Sequence, residues 1–178
     1  MSFAINLYFN KEAEQAILKI WESLALLNKG KCMSCTNGRP HITLAIYNDL
    51  EMSKAKGALE VLAQKVYSFE LTFLQIGIFP LNKGTIFLTP NLTNDLFQIH
   101  RTLHDAFATW EEQGWEYYKP QVWHPHCTLS METPVADIPK VLEEILKNFQ
   151  SLEVTVESIG IASLDPIEYL CEFPFLSQ

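Results

Sequence analysis

Two copies of one short pattern carry the side chains best suited to chemistry. His41-Ile42-Thr43-Leu44 lies within Arg39-Pro40-His41-Ile42-Thr43-Leu44-Ala45, and His126-Cys127-Thr128-Leu129 lies within His124-Pro125-His126-Cys127-Thr128-Leu129-Ser130. Side chains alternate along an extended strand, so each copy places an imidazole and a hydroxyl on one face and apolar groups on the other. Imidazoles pass protons near neutral pH, while hydroxyl and imidazole N–H groups hold phosphate oxygens. Two such strands facing each other would aim two histidines and two threonines at one ligand, a set suited to phosphoryl chemistry. A single His-x-Thr is ordinarily a half-buried histidine beside a strand-favouring threonine. The chain has only five histidines, and Pro before and Thr-Leu after two of them make the pair a signal.

The same alternation extends the facing set to Arg39 and His124, two residues before each motif histidine, and to Tyr47 and Ser130 beyond. Arg39 could pair with a phosphate through its fixed fork of donors, or be a solvated loop arginine. The ring-rich loop before the second motif offers Trp115, Tyr117, Tyr118 and Trp123 for stacking a base and Lys119 for electrostatic assistance. The commoner role of such rings is to pack a loop onto the fold. His100 and His104 have the spacing of a helical metal pair, but the zinc-protease Glu is absent between them, so they are expected to be partly exposed helix residues. Cys32 and Cys35 form the only close cysteine pair, with neither a second such pair nor finger-spaced histidines. No metal site and no cofactor is expected, and the four cysteines are expected as free thiols.

The elements that must position these residues are legible from periodicity and caps. Residues 3–9 alternate as a strand, and Asn10 is placed to cap a helix to about 28, with Gly30 beyond its end. A motif strand over 40–47 is followed by a helix over 52–66, with Ser53 as its candidate cap, and a strand over 69–79. Asn82-Lys83-Gly84 is turn chemistry leading to a strand over 85–89. Thr93 caps a helix over 94–112; loop 113–123, motif strand 124–131, helix 137–149, strand 152–164 and closing strand 167–175 complete the chain.

Phe69–Phe79 and Leu152–Ala162 share Glu, Thr and an Ile-Gly-Ile triplet at equal offsets, so the chain reads as an internal repeat of approximately 1–80 and 84–164. The fold class expected is α+β over a single domain, 1–178. It is read as a duplicated bilobal fold with two pseudo-symmetric, largely antiparallel sheets, helices on the outer faces and a central groove.

Length and composition set limits. At 178 residues and 48% hydrophobic, with mean hydropathy +0.03, the chain is expected to form one soluble domain. A net charge of −8 makes a long nucleic acid a less expected partner than a small nucleotide or an RNA terminus, although Lys29, Lys31 and Arg39 cluster before the first motif. The amino terminus resembles neither a signal peptide nor a membrane anchor, so a cytoplasmic location is expected, with no membrane and no obligate protein partner.

With both motifs, their spacing, the repeat order and the closing strand, the whole chain resembles the two-histidine (2H) phosphoesterase superfamily. Its closest flavour is similar to the bacterial 2′-5′ RNA ligase and RNA 2′,3′-cyclic phosphodiesterase group. The resemblance implies that His41 and His126 are catalytic, that Thr43 and Thr128 bind phosphate, and that the chemistry needs no metal. It implies a phosphodiesterase acting on a 2′,3′-cyclic phosphate or a related small cyclic nucleotide or RNA-end phosphodiester. RNA 2′-5′ ligation and noncatalytic nucleotide binding also occur in the family and stand as alternatives.

Overall fold

A computed structural model describes residues 1–31, 33–80 and 84–177. Cys32 of the close cysteine pair and Asn82 and Lys83 of the expected turn lie outside the described residues.

In chain order the elements are β1 (Phe3–Phe9), α1 (Lys11–Leu27), β2 (Ile42–Tyr47), α2 (Met52–Ala63), β3 (Phe69–Phe79), β4 (Thr85–Pro90) and α3 (Asn94–Ala106). There follow β5 (Cys127–Ser130), α4 (Ile138–Asn148), β6 (Leu152–Leu164) and β7 (Ile167–Pro174). Thr93 caps α3 through its hydroxyl, which accepts from the Leu96 N–H at 3.2 Å. The Asn10 side chain instead accepts from the Thr155 N–H at 3.0 Å, tying the start of α1 to β6. At the other end Asn28 takes the left-handed conformation that stops α1, ahead of Gly30. The helix expected to run to 112 breaks at Phe107 into a 3-10 turn over Ala108–Gln113.

The strands form one seven-stranded antiparallel sheet of order β2-β1-β6-β3-β4-β5, with β7 also on β6, where two separate sheets were expected. The reason is the pairing of Phe69–Phe73 with Leu152–Val156, which fuses the two halves through their long strands. The motif strands β2 and β5 are therefore the two ends of the order. Helices cross between halves to support them: α1 packs on β5 and α4, and α3 packs on β2 and α2. A single core of residues such as Ile5, Leu7, Trp21, Leu44, Phe73, Leu103 and Ile161 fills the space between helices and sheet. No helix among the described residues is long and apolar enough to cross a membrane.

Both motif strands carry a β-bulge at the same place. In β2, Thr43 pairs with Asn6 and Ala45 with Ile5, leaving Leu44 unpaired. In β5, Thr128 pairs with Phe87 and Ser130 with Ile86, leaving Leu129 unpaired. One extra residue reverses the alternation beyond it. Tyr47 therefore turns into the core, stacked on Phe107 at 5.6 Å, and Ser130 is buried with its hydroxyl 2.8 Å from that of Thr133. Neither reaches the face that strict alternation assigns it.

Candidate active site

His41 and His126 are each the last residue before their strand begins. Both rings are held in one way. His41 Nδ1 lies 2.6 Å from the Arg39 carbonyl oxygen, and His126 Nδ1 lies 2.7 Å from the His124 carbonyl oxygen. A carbonyl can only accept, so Nδ1 carries the proton in both rings and Nε2 is left to exchange one with a ligand. Pro40 and Pro125 stand between acceptor and ring and fix φ there, which is the physical use of the proline found in both motifs.

The two ends of the sheet come together at these residues. Charge on His41 acts on the His126 ring, and the buried Cys127 thiol is close enough to the backbone of His41 to feel its field. Two indoles brace the junction from opposite halves: Trp21 Nε1 donates to the Thr128 carbonyl and Trp123 Nε1 to the Thr43 carbonyl, both at 3.0 Å. Edge-strand carbonyls with no ladder partner are thereby satisfied. Burial is the main reason that both imidazoles titrate below their ordinary value; the carbonyl bonds oppose it, and neighbouring positive charge adds to it.

The threonines differ in their ties. Thr43 is buried and its hydroxyl donates to Asn6 Oδ1 at 2.9 Å, while Asn6 Nδ2 donates to the Tyr8 hydroxyl at 3.4 Å. Thr128 is half-buried and its hydroxyl makes no hydrogen bond among the described residues. The walls differ as well. The Tyr8 ring meets His41 edge-on at 6.4 Å, whereas His126 rests on Phe79 and Phe87, each 5.1 Å away and stacked on one another at 4.2 Å.

Arg39 is half-buried, and its guanidinium is already engaged by carboxylates. Its guanidinium lies 4.2 Å over the Tyr8 ring and bonds Glu172 at 2.7 Å and Glu14 at 3.1 Å. Lys29 is paired with Asp137 at 3.1 Å, so two of the three cations before the first motif are already neutralised. His124 stays at the site, exposed and edge-on to Phe79 and Phe87.

The ring-rich loop packs against the far end of β2. Trp115 donates to Asn48 Oδ1 at 2.9 Å, seven residues beyond His41, on the order of 20 Å along a strand. Tyr117 is exposed beside it, the Tyr118 carbonyl bonds His100, and Lys119 pairs with Glu116 at 2.6 Å. Trp123, buried and bonded to the Thr43 carbonyl, ties that loop to the first motif. Asn6, Tyr8, Trp21, Phe79 and Phe87 are the neighbours that sequence reasoning missed; all read as ordinary strand or helix residues.

His100 also departs from expectation. It is buried, its ring stacked 3.8 Å from that of Trp123 and its Nε2 donating to the Tyr118 carbonyl at 2.9 Å. Burial first, then the His104 charge, lowers its pKa from 6.5 to about 4. The stability contributed by neutral His100 is complete above pH 6.5 and is lost as pH falls towards 4, up to about 3 kcal/mol. Urea unfolding of wild type at pH 7 and pH 4.5 is expected to show that loss, and His100→Phe a smaller one; equal losses would contradict it. Cys35 is disulfide-bonded, against the expected free thiol, whereas Cys127 and Cys171 are free. Among the described residues no cluster of three His, Cys, Asp or Glu side chains could hold a metal ion.

A model of the 2'-5' RNA ligase superfamily matches residues 13–166. Solved structures with the same fold include TT0787 of Thermus thermophilus, 16% identical with a TM-score of 0.68 over 100% of both chains. Escherichia coli LigT in its apo form is 17% identical with a TM-score of 0.67, covering 98% of this chain and 97% of its own. The complex of LigT with 3'-AMP is similar at 16% identity and a TM-score of 0.64, over 97% of this chain and 96% of that one. No curated protein matches the sequence.

Proposed function

The chain belongs to the 2'-5' RNA ligase superfamily, and from that premise we propose that it is a metal-independent phosphodiesterase that opens a 2′,3′-cyclic phosphate on a small nucleotide or an RNA end. The observation that carries this reading is the matched pair of imidazoles, each with Nδ1 tied to a carbonyl and Nε2 left for proton transfer. Water attacks phosphorus, a new P–O bond forms, and the bond to one ribose oxygen breaks in line with it. One neutral imidazole takes the proton of the water while the other, as imidazolium, gives its proton to the departing oxygen. Thr128, with its uncommitted hydroxyl, donates to a nonbridging oxygen as charge develops. Thr43 does the same once Asn6 supplies its bond from the amide nitrogen instead of accepting at the oxygen.

The neutralised basic cluster supports a compact substrate over a long strand. LigT has been solved with 3'-AMP, with ATP and with phosphate, and a small nucleotide is the ligand class we carry over to this chain. The same reading takes the chain as one domain built from two related halves, 1–80 and 84–164, supported by the like bulges, prolines and carbonyl bonds of the two motifs.

Turnover of nucleoside 2′,3′-cyclic monophosphates, cyclic-phosphate-ended RNA and 2′-5′-linked oligonucleotides in excess EDTA tests the proposal. Hydrolysis of a cyclic phosphate is expected; joining of RNA ends with no hydrolysis would instead establish ligation. The pH dependence follows from the lowered imidazole pKa values. Catalysis needs one neutral and one protonated ring, and that state peaks between two values that both lie below 6.5. The kcat/KM profile is therefore expected to be bell-shaped with its maximum on the acid side of pH 6.5, and a maximum above pH 7 would contradict the assignment.

A further inference from the structure

A cavity of about 490 Å³ lies between α2 and α3 and another of about 340 Å³ adjoins the second motif. The first has no catalytic side chain in its lining and nothing that says what would cover it. The second is lined by His124 and Pro125, the two residues before His126.

We propose that this second cavity is the subsite for the nucleobase of the substrate whose phosphate lies between His41 and His126, a step that rests on the function proposed above. Four observations converge on it. Leu74, Leu92 and Phe97 are large apolar side chains left 57%, 61% and 43% exposed, and all three line the one cavity. Exposed apolar groups gathered around a cavity beside a catalytic residue mark a place where a ligand completes the burial.

The lining also contains no Lys, Arg, Asp or Glu. The one titratable side chain in the lining, His124, stands at the end next to His126, so a second phosphate would find no fixed counter-charge along the rest of the cavity, and an uncharged flat group suits it better. Polar groups able to read the edge of such a ring are present: Gln75 and Thr89 are paired across β3 and β4, and neither side chain makes a hydrogen bond among the described residues. An amide and a hydroxyl each donate and accept, which suits a base edge better than an aliphatic chain.

Placement agrees. His124 and His126 are two residues apart along extended chain, on the order of 7 Å, a separation of the kind that divides a base from its own 3′-phosphate. The cavity wall is rigid on the catalytic side, since Trp123 is stacked on His100 at 3.8 Å and bonded to the Thr43 carbonyl at 3.0 Å. The His41 side is closed instead by Arg39, which lies over the Tyr8 ring and is tied down by Glu14 and Glu172. A nucleotide would therefore lie in one direction only, its base towards α3.

Two readouts test the subsite. In the first, backbone amide shifts of the wild-type protein are followed while adenosine, with no phosphate, is added to millimolar concentration. Shifts confined to Leu92, Phe97, Trp123 and His124 are expected, and their absence overturns the subsite whether or not any cyclic phosphate is turned over. In the second, Phe97→Ala and Leu92→Ala are compared with wild type on a nucleoside 2′,3′-cyclic monophosphate and on ribose 2′,3′-cyclic phosphate, which has no base. Each variant is expected to raise KM for the nucleotide about tenfold with kcat little changed, and to leave the baseless substrate unaffected. Equal losses on both substrates, or none on either, overturn the proposal. Adenosine shifts in the cavity with no turnover of either substrate would keep the subsite and sink the phosphodiesterase reading.

Discussion

Removing either imidazole, as His41→Ala or His126→Ala, is expected to lower kcat on a 2′,3′-cyclic phosphate by about 10²–10⁴-fold while leaving the protein folded. In the proposed mechanism the two rings act in one proton-transfer event, one on the attacking water and the other on the leaving oxygen. The double variant is therefore expected to fall little below the worse single one, because effects of groups that work as a unit do not add. Both rings are half-buried at the mouths of their strands, so truncation opens space towards solvent and does not hollow the core. Steady-state kinetics on the three variants checks this. Near-wild-type turnover in either single variant, or losses that multiply in the double, would remove the paired mechanism.

The second large effect is expected at a position that touches no substrate. Gly77 pairs directly with Phe87, and a Cβ on Gly77 would overlap the Phe87 ring, which stands stacked on Phe79 beneath His126. Gly77→Ala must push that ring away, and the ring is held between Phe79 and the imidazole, so His126 moves with it. A displacement on the order of 1 Å in a catalytic group costs about 10²-fold, so kcat is expected to fall by about that factor with KM little changed. Gly160 is the counterpart on the other side: a Cβ there would meet the Cys171 carbonyl at 2.5 Å and the Tyr8 ring at 3.0 Å, and Tyr8 stands beside His41. Backbone cannot give way as a ring can, so Gly160→Ala is expected to lower stability as well, by about 1–3 kcal/mol. Kinetics and urea unfolding of both variants separate the outcomes; full kcat in Gly77→Ala would show that the aromatic seat does not position His126.

These glycines show what is legible in the sequence and what is not. The Ile-Gly-Ile triplet is visible as a repeated string, but its cause is what neighbouring strands bring against each glycine, the Phe87 ring at Gly77 and the Cys171 carbonyl with the Tyr8 ring at Gly160, and strand pairing is not written in local periodicity. The long strands 69–79 and 152–164 are readable to the residue because apolar and polar positions alternate with strong end signals. Strict alternation puts Tyr47 and Ser130 on the wrong face because it assumes an unbroken ladder, and bulges at Leu44 and Leu129 reverse it.

Arg39 illustrates a second limit. Its type and position fit a phosphate, but Glu14 and Glu172 lie 25 and 133 residues away in the chain and only the fold brings them to it. The cross-bracing indoles follow the same logic, for Trp21 reaches Thr128 over 107 residues and Trp123 reaches Thr43 over 80. By contrast the paired motifs, their prolines and the division into strand and helix depend on short-range chemistry alone, and they suffice to indicate the family.

The most direct measurement is histidine-resolved ¹⁵N NMR of the two imidazoles as inorganic phosphate is added to the wild-type protein. Nε2 of His41 and Nε2 of His126 are expected to shift together along one binding curve, while both Nδ1 signals keep the shift of a nitrogen bonded to a carbonyl. A response from one ring alone, two curves of different midpoint, or no response from either would show that the motifs do not hold a single phosphate between them.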